Sequence, residues 1–325
     1  MNDAEIKETG AILLGKNFVC DAHAGRPVRI ITHAHADHLL NLEKSLCDCQ
    51  AVVATPVTKD LIAVLRGKNK AARIKPLNYE HAYEYEGERV TLYPAHHILG
   101  SAQVLLETKE RKRIVYTGDI RFPPAGIIKA DTLIIEATYG NPAYVRKFKQ
   151  AVESELIKLV KKSLKSAPVY IFGYHGKLQE VVKILNEAGI DIPIVVPEKV
   201  FKILKICQAH GMGHRNFYFS KSEEGIKIRK SFHIGLYHFQ ASRWVGGKAI
   251  KIILSGWQFD NPCKKIDRKK YQVALSDHSD FEGLLEYVKK SEPRLVITDG
   301  SRAGEAFTLR QEIRKRLGID AISMP

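Results

Sequence analysis

"THAHADHLLNL", residues Thr32–Leu42, places three histidines and an aspartate within six consecutive positions, His33 to His38. His33 and His35 leave the end of an apolar run two residues apart, so in extended backbone they point the same way and can share one metal ion. Asp37 and His38 follow at the turn, where they can reach a second ion. Neutral imidazole and carboxylate are the donors that Zn²⁺ takes in hydrolytic sites, and Mn²⁺ or Fe²⁺ accepts the same set. A single histidine or aspartate of this kind is ordinarily a satisfied core or surface group. Four of them on so short a piece of chain are a metal motif.

The run that ends at this motif, "RIITHAHADH", is one of eight with the same grammar: a short apolar stretch followed by small or polar residues. The others are "VTLYPAHHILG", "RIVYTGD", "TLIIEATYG", "VYIFGYHGK", "KIILSGW", "VALSDHSD" and "RLVITDG". Each reads as a buried strand whose C-terminal end delivers reactive side chains, and loops at strand ends are where ligands gather in layered α/β proteins. Amphipathic helices lie between. In "KLQEVVKILNEAG", Leu178, Val181, Val182 and Leu185 keep helical spacing and Gly189 is a terminator. Ser279 followed by Glu282 is a capping-box pattern that predicts a helix immediately after His278. The fold class is α/β.

The chain has 325 residues and 45% hydrophobic content, ordinary for a globular protein. Two lobes are expected, because single cores stop growing at roughly 250–300 residues. No early apolar run resembles a signal peptide and no stretch approaches the ~20 apolar residues of a membrane span, which predicts a cytoplasmic protein with no membrane partner. Cys20, Cys47, Cys49, Cys207 and Cys263 are not spaced as a disulfide framework and are expected as reduced thiols. Cys47 and Cys49 read as core or incidental thiols. Lys and Arg number 51 against 36 Asp and Glu, a net +15 that would draw in a polyanion, and nucleic acid is the default partner. The local runs Lys109–Arg113, Lys161–Lys165 and Lys264–Lys270 read singly as solvated turns or helix faces; their sum carries the inference. Nothing in the sequence names a protein partner.

"THAHADH" resembles the signature of the metallo-β-lactamase superfamily, and the later motifs follow in the order that superfamily requires, across nearly the whole chain. By that resemblance "PAHHILGSAQ" supplies the third ligand at His97, with His96 a neighbour, and "YTGD" supplies the bridging carboxylate at Asp119. The resemblance implies a first metal at His33, His35, His97 and Asp119, and a second at Asp37, His38, Asp119 and one further ligand. The implied architecture is an αββα sandwich built from residues 1–137 and 249–325, with a smaller α/β lobe inserted at 138–248.

Lactamases, lactonases and glyoxalase II-type thioesterases share the first motif, so the later ones must discriminate. "LIIEATYG" resembles the acidic motif that opens the β-CASP insertion of nucleic-acid-processing members and places its carboxylate at Glu136. "ALSDHSDFEGLLEYV" resembles that family's histidine before a helix, here His278. "FGYHGKLQEV" is similar to a Gly-Lys turn in Artemis-like DNA nucleases and ligase-associated DNA exonucleases. Independently, backbone N–H groups at Gly176 and Lys177 and the Lys177 ammonium, at a helix start, offer a phosphate site with His175 beside it, the alternative being an exposed lysine at a helix start. "LSGWQF" resembles the element at which these nucleases return from the insertion, although Trp257 is equally suited to a core. Where RNA-processing members usually place a histidine for the second metal, "VITDG" offers Asp299, as a metal ligand or as a capping or structural group.

The chemistry implied is attack by a metal-activated water on a phosphodiester, with Asp119 and Asp37 beside the water. His278 is the general acid, and Glu136 offsets the positive helix end that would oppose its imidazolium. The remaining histidines, His23, His81, His210, His214, His233 and His238, carry no motif. The reading is a zinc-dependent nuclease with two divalent ions, an exonuclease on single-stranded DNA or strand ends. An RNA 3′-end-processing or ribonuclease J-like role stands close behind DNA. Two further readings are a non-catalytic nucleic-acid-binding scaffold, against which the intact ligand set speaks, and a small-molecule hydrolase, which leaves the net charge, Glu136 and His278 unexplained.

Overall fold

A computed structural model describes residues 3–213, 216–244 and 247–325 of the chain; His214 lies outside the described residues. The chain divides into two compact units, Met1–Val145 with His278–Pro325, and Arg146–Asp277.

The first unit is built on two sheets. One runs in the order Ala4–Ile6, Ala11–Leu14, Phe18–Asp21, Val28–Ile31, Ala51–Ala54, Lys75–Pro76. The other runs Asp320–Met324, Leu295–Asp299, Thr132–Ile135, Arg113–Tyr116, Ala102–Glu107, Glu88–Pro94, Ala82–Tyr85. The two-residue period of a strand decides what each face meets. Val104, Leu106, Ile114, Tyr116, Ile134 and Ile297 share a core with Ile12, Leu14, Phe18, Val28, Ile30 and Val53 of the first sheet. Their neighbours Leu105, Val115, Leu133, Ile135 and Val296 pack instead with Leu284, Tyr287 and Val288 of helix Phe281–Ser291 and with Leu309 and Ile313 of helix Ala306–Leu317. Helix Leu42–Asp48 lies against strand Ala51–Ala54 of the first sheet. This is the αββα sandwich that the resemblance implies. Strands Phe18–Asp21 and Val28–Ile31 are parallel, as are Arg113–Tyr116, Thr132–Ile135 and Leu295–Asp299, so within each sheet their C-terminal ends share one edge.

The second unit is a seven-stranded sheet in the order Phe217–Phe219, Ile194–Val196, Ile234–His238, Val169–Gly173, Ile250–Leu254, Lys270–Val273, Cys263–Lys265, parallel except for the last strand. Leu178, Val181, Val182 and Leu185 of helix Lys177–Glu187 enter its core, as their spacing predicts. Gly189 closes that helix with φ 65°, its N–H reaching Asn186 O while Ile190 N–H reaches Leu185 O.

Two boundaries differ from the sequence reading. Residues 138–145 stay with the first unit, where Tyr144 O accepts from Phe281 N at 3.1 Å. At the other end the second unit continues past Lys248 to Asp277, because Ile250–Leu254 pairs in parallel with both Val169–Phe172 and Lys270–Val273. Trp257 is exposed within that unit, so it is neither a core residue nor a boundary. The five cysteines are free, with Cys20 and Cys207 buried and Cys47 exposed. No described helix is long and apolar enough to cross a membrane.

Candidate metal centre

Strand Val28–Ile31 ends at Thr32, and the chain then turns through His33, Ala34 and His35 into a short 3-10 segment, Ala36–Leu39. His33 Nε2 and His35 Nδ1 lie 3.1 Å apart, and His97 Nε2 lies 3.0 Å from the same His35 Nδ1. Asp119 Oδ2 stands 3.6 Å from His33 Nε2 and 3.5 Å from His97 Nε2. All four donor atoms lie within 4.8 Å of one another. Donors at about 2.1 Å from a tetrahedral centre are separated by roughly 3.4 Å, so this set has the spacing of a closed metal shell.

The loop carrying His97 is held from both sides. Ser101 Oγ accepts from the N–H groups of His97 and Ile98 at 3.1 and 3.3 Å, and Gly100 O accepts from Thr55 Oγ1 and Thr58 Oγ1 at 2.7 and 2.9 Å. Gly100 has φ +84°, and a Cβ there would meet Val57 Cβ at 2.7 Å, so the position requires glycine.

His38 faces a second set of donors. Its Nε2 is buried without a hydrogen-bond partner, 3.4 Å from Asp119 Oδ1 and 3.5 Å from Asp37 Oδ2. Its Nδ1 lies 2.7 Å from Asp21 Oδ2. Asp21 is fully buried and also accepts from Thr32 N–H, Thr32 Oγ1 and Tyr116 Oη at 2.9, 2.8 and 3.0 Å. A carboxylate behind the non-ligating nitrogen, with the other nitrogen unpartnered, is the arrangement that orients a ligand histidine. Asp37, His38 and Asp119 do not close into a group as tight as the first among the described residues.

Electrostatics hold the carboxylates ionised. Burial works against the charge on Asp119, but His38, His278 and His33 outweigh it and hold the carboxyl well below its usual range. The same holds more mildly for Asp21, where His38, Arg302 and the Thr32 N–H overcome burial. Burial and the neighbouring His38 push His33 well below the usual imidazole range, which keeps it a neutral donor. Burial alone would lower His38, yet Asp21 and Asp119 raise it to about 10, so an ion held at Nε2 would displace a proton from that nitrogen.

His278 Nδ1 lies 2.8 and 3.0 Å from the two Glu136 oxygens, and Glu136 Oε1 accepts in addition from Ile120 N–H at 2.6 Å. With carboxylate acceptors on Nδ1, that nitrogen carries the proton, and Nε2 is the working atom, 4.0 Å from Asp119 Oδ2. The helix that follows is capped by Asp280, whose side chain accepts from Gly283 N–H at 3.1 Å, not by Ser279. Ser279 Oγ instead donates to Ile120 O and accepts from Phe122 N–H, which ties the His278 turn to the loop after Asp119.

Of the two uses the sequence leaves open for Asp299, the structure shows the structural one: Oδ1 accepts from Ser301 N and Oγ at 2.9 and 2.5 Å, and Oδ2 is paired with Arg302 Nη1 at 2.6 Å. The Gly176–Lys177 turn does start a helix, but Gly176 N–H donates to Gln179 Oε1 at 2.7 Å and Lys177 Nζ is paired with Asp277 Oδ1 at 2.6 Å. Two of the three groups read as phosphate donors, the Gly176 N–H and the Lys177 ammonium, are thus engaged within the second unit, and the His175 ring sits against His238, 5.6 Å between centroids. Asp21 and Arg302 were missed. Asp21 precedes the motif as an unremarkable strand-end aspartate, and Arg302 lies in a stretch where only Asp299 drew notice.

A family model described as "Beta-lactamase superfamily domain" matches residues 21–202. The chain is 28% identical over 321 residues to a probable DNA ligase of Opitutus terrae, a match covering 93% of this chain but only 29% of that protein's length. It is 31% identical to an RNase J-like protein of Methanocaldococcus jannaschii, with 89% of this chain and 85% of the relative covered. Among solved structures, a protein of unknown function from Enterococcus faecalis V583 superposes with a TM-score of 0.64 at 15% identity, over 92% of this chain and 79% of that one.

Proposed function

The chain belongs to the β-lactamase superfamily, and on that premise we propose that it is a metal-dependent nuclease that hydrolyses phosphodiester bonds of nucleic acid. The observation that carries this reading is the convergence of His33, His35, His97 and Asp119 into one closed donor group. That group suits a divalent ion, with zinc favoured by three nitrogens and Mn²⁺ or Fe²⁺ as alternates. Asp37, His38 and Asp119 offer donors to a second ion. Such ions, when bound, supply Lewis-acid polarisation of the phosphoryl oxygens and lower the pKa of an attacking water.

The chain's own residues do the rest. Asp21 fixes the tautomer and direction of His38, so that Nε2 points at Asp119. Glu136 holds a proton on His278 Nδ1 and stabilises the imidazolium, leaving Nε2–H to protonate the departing oxygen. Asp21→Asn is expected to lower phosphodiester hydrolysis by about 10–100-fold, the usual effect of removing the partner that orients a site histidine. Hydrolysis rates of the parent and variant check it, and an unchanged rate would remove Asp21 from this role.

Nucleic acid is favoured over a small molecule by where the charge lies. The unit Arg146–Asp277 holds 25 Lys and Arg against 11 Asp and Glu, a formal +14, whereas the remainder of the chain holds 26 against 25. On the same unit Tyr174 and Phe239 are exposed and stacked, 5.5 Å between centroids and 19° between planes, just past the ends of paired strands Val169–Gly173 and Ile234–His238. An exposed aromatic stack in a positive field suits an unpaired base. Tyr174→Ala with Phe239→Ala is expected to weaken binding of a single-stranded oligonucleotide on the order of tenfold, with bound metal unchanged. Fluorescence anisotropy checks this, and equal affinity of parent and variant would contradict it.

Single-stranded DNA or strand ends, cut exonucleolytically, are the substrate we favour, supported by the ligase relative. Hydrolysis of RNA is the second reading, favoured by the RNase J-like relative at 31% identity. Matched 5′-phosphorylated DNA and RNA strands, labelled at each end, separate sugar, polarity and endo- from exo-action in one assay. Cleavage of neither strand by the metal-loaded chain would overturn the proposal.

A further inference from the structure

Arg302 is the feature of the first unit that a two-ion centre does not absorb. Its Nη1 donates to Asp299 Oδ2 at 2.6 Å and its Nη2 to Gly10 O at 3.1 Å, and the side chain is 15% exposed. Nη2 also stands 3.6 Å from Asp21 Oδ2, and Nε stands 3.9 Å from Asp37 Oδ2. The guanidinium thus lies among Asp299, Asp21 and Asp37, which are the carboxylate read from sequence as a ligand of the second ion, the carboxylate behind His38, and the carboxylate beside it. Nε is buried without a hydrogen-bond partner, as is His38 Nε2.

We propose that this chain holds one tightly bound divalent ion, at His33, His35, His97 and Asp119, and that the Arg302 guanidinium takes the electrostatic place of a second. The proposal rests on the metal-dependent reading above and specifies its charge arrangement. Three physical facts support it. An arginine is charged at every pH at which the protein is folded, so its charge cannot be relieved by losing a proton. The Asp299 carboxylate is committed to Arg302 and Ser301, so the second donor set lacks its further ligand. A divalent ion entering beside Asp37 and His38 would have to compete for these carboxylates with the Arg302 guanidinium, whose Nε stands 3.9 Å from Asp37 Oδ2 and whose Nη2 stands 3.6 Å from Asp21 Oδ2. The positive charge that offsets Asp21, Asp37 and Asp299 is then part of the covalent chain.

The test is the number of ions bound. Metal-stripped chain is titrated with Zn²⁺ by calorimetry, and metal content is measured after dialysis. The expected result is one tight equivalent for the parent and for Arg302→Lys, and a second equivalent for Arg302→Gln, bound at least about tenfold more tightly than any second ion of the parent. Two equivalents of similar affinity in the parent would overturn the proposal and leave the nuclease reading standing. No tight equivalent at all in the parent would overturn the metal centre itself. Should Arg302→Gln fail to fold, the parent and Arg302→Lys titrations still decide the count. A folded Arg302→Gln that binds one ion as the parent does would contradict the role given to the guanidinium.

Discussion

Asp119→Asn will lose phosphodiester hydrolysis by about 10³-fold or more, because removing a charged ligand costs several kcal/mol of transition-state stabilisation and each 1.4 kcal/mol is tenfold in rate. Asp119 is buried, with Oδ2 turned to His33 and His97 and Oδ1 to His38. An amide in its place removes the negative charge and presents an N–H group to neighbouring imidazole nitrogens, so both donor sets are damaged by one atom's exchange. Bound metal should fall with activity, while far-ultraviolet circular dichroism stays that of the parent. A variant that keeps activity within tenfold of the parent would remove Asp119 from the centre. Chelation of the parent should produce the same loss, reversed on adding the ion back.

The second large effect is at His278. His278→Ala is expected to lower kcat by about 10²–10⁴-fold, the range for a positioned general acid, with metal content unchanged. The prediction follows from the pairing of Nδ1 with both oxygens of Glu136 and from the placement of Nε2 4.0 Å from Asp119 Oδ2. A readout separates proton donation from mere support. A diester with a nitrophenol leaving group needs no proton on departure, so the variant should recover most of its rate on that substrate. Glu136→Gln should show the same pattern more weakly, because the amide holds the ring without stabilising its charge. An equal loss on both substrates would make His278 structural.

How far the sequence could be read divides along range of interaction. His33, His35, Asp37 and His38 were legible because the extended backbone and the turn that place them are local. The helix Lys177–Glu187 was legible from apolar spacing and from Gly189 for the same reason. Asp21 was not, since its role depends on a strand neighbour, Val28–Ile31, that brings Thr32 and His38 against it. The end of the inserted unit was misplaced because Ile250–Leu254 finds its partner in Val169–Phe172, about eighty positions earlier, and no local pattern reports such pairing. Gln179 could have warned that Gly176 N–H is taken, because a glutamine three residues into a helix commonly reaches back to the residue that starts it. Asp299 and Arg302 show the opposite limit: a carboxylate three residues before an arginine has several equally good uses, and only the surrounding packing selects the ion pair.

Anomalous diffraction from crystals of the metal-loaded chain, recorded at the absorption edge of the ion supplied, bears most directly on the metal centre. The account predicts a single strong peak about 2 Å from His33 Nε2, His35 Nδ1, His97 Nε2 and an Asp119 oxygen. A loaded, catalytically active crystal with no peak among those four atoms, or with its strongest peak elsewhere, would contradict it.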